Sequence, residues 1–136
     1  MQPKYFLAAA LLVATGCNVN NPSPPGGPVS FASQIQPILS DRCVTCHRPG
    51  GLATSAGVKM DLRDTAAPAS LINQPSSLND TLTLVIPGDA ANSLLYKMVT
   101  ESSPPVGVRM PPGFNPLTGQ QLGLIRDWIN QGALDN

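Results

Sequence analysis

The chain has 136 residues, with eight basic and eight acidic side chains. That length suits one domain, and the sparse, balanced charge leaves neither a basic footprint for nucleic acid nor a net field to steer a partner. Fifteen prolines and 12 glycines predict short helices joined by long ordered loops, costly in chain entropy unless something large organises them.

Residues 1–17 read as a targeting segment. Lys4 supplies a short positive region, and residues 6–13 (FLAAALLV) form an apolar run too short to span a bilayer. Small residues Ala14, Thr15 and Gly16 then lead to Cys17. A-T-G-C resembles the lipobox of bacterial lipoproteins, in which the cysteine becomes the new N-terminus and carries acyl chains. That family usually has Leu where this chain has Ala14. The competing reading is an ordinary secretory signal, which leaves Cys17 as a spare thiol in an oxidising compartment. Residues 18–29 (NVNNPSPPGGPV) read as a tether with nothing apolar enough to pack. Fully extended, it reaches roughly 40 Å.

A folded domain is expected over residues 30–136. Ser30 is placed to cap a first turn over 31–35, and Pro37 fits the first position of a helical segment over 37–43. Ile35, Ile38 and Leu39 supply its buried side.

The chemistry sits at the end of that segment. Cys43-Val44-Thr45-Cys46-His47 is C-x-x-C-H, the attachment signature for c-type haem. Two thiols about one helical turn apart match the spacing of the two haem vinyl groups, and the imidazole that follows becomes the proximal iron ligand. A thioredoxin-like C-x-x-C wants a βαβ context, which the sequence does not offer. A zinc site needs about four ligands, and beyond these three the chain has only Cys17 and no second His. One motif implies one covalent haem c.

His47 is the only histidine, so bis-histidine ligation within the chain is excluded and Met is the other common sixth ligand. Met60 lies between Val58 and Leu62 in period-two alternation and reads as an extended piece lining the core. A short helix over 64–72 is expected to be interrupted by Pro68. Met98 falls in 92–100 (NSLLYKMVT), on an apolar stripe with Leu94, Leu95 and Val99 that reads as a helix capped by Asp89 or Asn92, and there it reads as flexible core filler. Met110 lies in the loop 104–116, directly before Pro111-Pro112, which restrict it to extended conformations and present it from a stiff segment. A thioether is a weak ligand that must be pre-positioned. The sixth ligand is therefore expected to be Met110, with Met60 as the alternative.

The last element is the clearest. Thr118-x-x-Gln121 is a capping box, Leu122, Ile125, Trp128 and Ile129 make one stripe, and Gly132 supplies the stop. Trp128 reads as core in preference to a haem propionate partner. Arg48 and Arg109 flank the ligands; pairing with haem propionates is one reading, and solvation at the surface is the expected state of each.

Residues 31–133 resemble the class I cytochrome c fold, specifically the short single-haem domains common in planctomycetes and related soil and marine bacteria. The resemblance rests on I-x-P-I-L-x-x-R-C-x-x-C-H (35–47), I-P-G-D-x-x-N-S-L-L-Y-K (86–97), R-M-P-P-G (109–113) and L-T-x-x-Q-L-x-L-I-R-x-W-I-x-x-G-A (117–133). It implies an all-α fold of short helices and long loops around one haem, in which the first and last helices cross near Trp128. It also implies haem attachment at Cys43, Cys46 and His47, with Met110 distal. The family pattern does not say what the loop 48–84 packs on.

The function expected is electron transfer, not catalysis, by a periplasmic, lipid-anchored monomer working with redox partner proteins at a membrane. A haem enzyme or gas sensor is the alternative, and it requires an open distal site. A third is a docking module whose haem wires a larger complex. If Cys17 carries the anchor, Cys17→Ser turns a membrane-fractionating protein into a soluble or unprocessed one. Equal partitioning of wild type and variant into a detergent phase would exclude the anchor.

Overall fold

A computed structural model describes residues 27–136; residues 1–26, including Cys17 and the proposed signal, lie outside that range. Among the described residues the chain is helical, with isolated bridges (Ile72 with Val85, Pro75 with Thr83) in place of strands.

Ser30 opens the domain as expected, its hydroxyl accepting the Ser33 N–H at 3.3 Å. The turn Phe31–Ile35 is π-helical, because the Gln36 N–H reaches back five residues to the Phe31 carbonyl. It runs directly into α1 (Gln36–Arg42), with Pro37 in the first turn, where its missing N–H costs nothing. Short α2 (Leu52–Ser55) and α3 (Ala67–Leu71) follow, then α4 (Leu94–Thr100) and α5 (Gly119–Asn130).

Two expectations are corrected. Pro68 does not interrupt a helix: it stands in the first turn of α3 and begins one. Neither Asp89 nor Asn92 caps α4. The cap is Ser93, and the first α4 amides are satisfied by backbone instead, Leu94 N–H donating to the Thr83 carbonyl at 3.0 Å and Leu95 N–H to Leu84 at 2.9 Å. Asp89 caps only the turn before, accepting the Asn92 N–H at 3.0 Å. The wholly buried Ser93 hydroxyl locks this turn, accepting from Ile86 N–H and donating to the Asp89 carbonyl.

The capping box of α5 forms in both directions, Thr118 with the Gln121 N–H and the Gln121 side chain with the Thr118 N–H. Ile125, Trp128 and Ile129 are buried and Leu122 is half-buried. Gly132, at φ +105°, ends the helix in a conformation that side chains avoid. The π-helical turn packs on α1 and α5, and α4 packs on α5. At that junction the Phe31 and Trp128 rings lie 5.2 Å apart, tilted by 44°. The indole N–H donates to the Leu134 carbonyl at 2.9 Å, so Trp128 is core and its one donor is occupied.

The expected tether ends sooner than residue 29. Val29 is buried, its N–H donating to the Gln131 side chain at 2.7 Å, and Gln131 donates in turn to the Gly27 carbonyl. Asn136 continues the clasp, accepting from the Phe31 and Ala32 amides at 2.8 and 2.9 Å.

This packing predicts a graded response. Ile129→Ala, at a position with no exposed surface, is expected to cost about 2–5 kcal/mol, and Thr118→Ala about 1 kcal/mol through loss of the cap. Denaturant unfolding measures both.

Candidate haem site

α1 ends at Arg42, and the chain folds at once into a tight turn. Cys43 and Val44 both donate to the Leu39 carbonyl at 2.9 Å, while Cys46 and His47 both donate to the Cys43 carbonyl, at 3.1 and 2.9 Å. The motif is thereby held as a hydrogen-bonded turn directly after the helix. Gly51 closes the far side. A β-carbon there would stand 2.2 Å from the Cys46 carbonyl oxygen, so a side chain at 51 displaces the motif's backbone. The same carbonyl accepts the Ala53 N–H at 3.2 Å.

Beside this turn lies an apolar cavity of about 100 Å³. Cys43 and His47 line it, and so does Met110. The loop whose packing the sequence leaves open supplies much of the wall: Val58, Met60, Leu62, Ser76, Ser77, Leu78 and Leu84. Leu62 N–H donates to the His47 carbonyl at 3.0 Å, pinning one strip of that loop against the motif. Leu94, Leu95, Met98 and Val99 of α4 complete the wall with Val106 and Gly107.

All three candidate methionines reach this cavity, and all three are half-buried. The expectation that Met98 is simply core filler is therefore incomplete. Met98 faces the cavity, and its carbonyl accepts the Met110 N–H at 2.8 Å. Cys46 is half-buried but does not line the cavity.

The electrostatics are those of a dry pocket. Burial lowers the His47 pKa below its ordinary 6.5, favouring the neutral imidazole that ligates metals. Its Nδ1 is buried without a hydrogen-bond partner. Cys43 and Cys46 are free thiols, not bonded to each other. Burial pushes the Cys43 thiol up to about 11, outweighing the pull of the Arg42 charge. Two free thiols, a neutral imidazole with an unsatisfied nitrogen and an apolar cavity fit a covalently held haem.

Polar character enters at one place. Apart from His47, the hydroxyls in the cavity wall are those of Ser76 and Ser77, and both residues also line a neighbouring open groove with Lys59, Gln74, Asn79 and Asp80. Arg48 is exposed, as expected. Arg109 departs from expectation: it is half-buried, and its Nε is buried without a partner. No family model, curated protein or solved structure matches this chain.

The cysteine environment has a pH consequence. With the thiol pKa raised from 9.0 to about 11, the reactive thiolate at pH 8 falls about 100-fold relative to an unperturbed cysteine. Iodoacetamide should therefore label Cys43 slowly in haem-free protein at pH 8, and faster with each step towards pH 11. Labelling at the rate of an unstructured cysteine peptide would contradict this burial.

Proposed function

We propose that this chain is an electron carrier of class I cytochrome c type, bearing one haem c on Cys43, Cys46 and His47 with Met110 as the sixth ligand. The observation that carries the reading is that Cys43 and His47 of a C-x-x-C-H motif line the same apolar cavity as Met110. Helical architecture, with α5 packed on the π-helical turn that precedes α1, supports the cytochrome-like fold that the sequence resembles.

When bound, haem iron supplies reversible one-electron chemistry between its ferric and ferrous states. The protein's part is to attach, ligate and shield. Cys43 and Cys46 would add across the vinyl groups, so that the cofactor stays bound outside the cytoplasm. His47 would ligate through its neutral ring. Met110 would complete the coordination and leave no open position for a substrate, which separates a carrier from an enzyme or sensor. The apolar wall would disfavour the extra positive charge of the ferric state, and a thioether ligand would also raise the potential. Ser76 and Ser77, which line both the cavity and the groove that holds Lys59, would supply polar contacts to the cofactor's charged groups. With an anchor on Cys17, the domain would exchange electrons with redox proteins at the same membrane.

Spectra of purified protein test this. Wild type should show covalent haem on a denaturing gel, a reduced c-type α-band and, when oxidised, the weak sulfur-to-iron band at the red end of the visible range. Met110→Ala should keep covalent haem, lose that band, bind cyanide or carbon monoxide readily and have a lower potential. Met60→Ala and Met98→Ala should keep the band and lose up to about 2 kcal/mol, the low end for Met→Ala because both are half-buried. If the band follows Met60 or Met98 instead, the ligand assignment moves there. If oxidised wild type lacks the band altogether, the sixth position is not held by a methionine and the enzyme or sensor reading takes over.

A further inference from the structure

Residues 101–118 join α4 to α5 without a regular turn of helix. They carry Met110, so whatever holds this loop holds the sixth ligand. On the N-terminal side Met110 is secured by its own N–H, which donates to the Met98 carbonyl at 2.8 Å. On the C-terminal side little is fixed. Residues 112–116 are all exposed, and Phe114, the one large apolar side chain among them, is 72 % exposed and anchors nothing. Packing resumes only at buried Leu117.

Between those points one hydrogen bond crosses to the rest of the described chain. The Arg42 guanidinium Nη2 donates to the Asn115 backbone carbonyl, 73 residues away in sequence. Arg42 is the last residue of α1 and directly precedes Cys43. The bond therefore joins the segment that attaches the haem to the loop that brings the distal methionine.

We infer that Arg42 is a positioning residue: by tying Asn115 to the end of α1, it keeps Met110 seated on the iron against competing ligands. The inference rests on the haem reading above. A neutral thioether binds weakly enough that the loop's freedom to swing decides how often the sixth position opens. The bond is exposed, and its charged donor makes it stronger than a neutral one in the same place. The acceptor is backbone, so the restraint depends on Arg42 and not on the Asn115 side chain.

Stopped-flow binding of cyanide to the ferric full-length protein tests it, in wild type, Arg42→Met, Arg42→Gln and Arg42→Lys. Arg42→Met should keep covalent haem but take up cyanide about tenfold faster, a factor equivalent to about 1.4 kcal/mol. Arg42→Lys, which keeps a charged donor, should recover most of the difference, and Arg42→Gln should fall between. Wild-type rates in a haem-bearing Arg42→Met protein would overturn the inference while leaving the haem reading intact; absence of covalent haem from wild type would overturn the haem reading itself. Should Arg42 variants fail to mature, the wild-type guanidinium protons decide by NMR. Separately resolved, slowly exchanging resonances uphold the bond, and one averaged signal refutes it.

Discussion

The carbonyl of Cys43 accepts two amides, those of Cys46 and His47, and this one convergence sets the geometry of everything around the cavity. It turns the chain sharply at the end of α1 while keeping Cys43 and His47 on the cavity wall. The next carbonyl that matters, that of Cys46, is pressed by Gly51 and bonded by Ala53, so the turn is closed from outside as well. Leu62 then bonds the His47 carbonyl, and the loop beyond it is laid against the motif. A compact backbone knot thus does the work that a longer regular helix would do in a larger protein.

The core is one cluster that runs into the cavity wall. Phe31, Ile35, Trp128 and Ile129 pack against one another where the π-helical turn meets α5. Cys43, Met60, Leu84, Leu94 and Met110 face a common cavity. A small domain buries a low fraction of its surface, and here Leu84 and Leu94 serve both the core cluster and the cavity wall, with Cys43, Met60 and Met110 packed against that cluster.

What the sequence makes legible follows from how local each signal is. C-x-x-C-H, the Thr118–Gln121 box and the stripe of α5 are written within a few residues, and each carries its own geometry. The wall contributed by 58–84 is not legible in that way. Ser76, Ser77 and Leu78 reach the cavity because the excursion 72–85 is folded back by long-range backbone bonds, such as Asn73 to Val85 and Leu84 to Gln74, and backbone bonds leave no mark on residue type. The start of α4 is hidden for the same reason, since its amides are met by the Thr83 and Leu84 carbonyls. Met98 is legible as helical but not as cavity-facing, because a stripe on a short helix does not say which of two apolar neighbours it faces.

The clasp between the two ends of the described chain bears on how force travels. A pull on the chain ahead of residue 27 meets Gly27 and Val29 held by Gln131, then Phe31 and Ala32 held by Asn136. The load passes into the end of α5 and the Phe31–Trp128 contact before it can reach Cys43. Under the anchor proposed at Cys17, a fluctuating membrane would load these contacts first and spare the residues proposed to grip the iron.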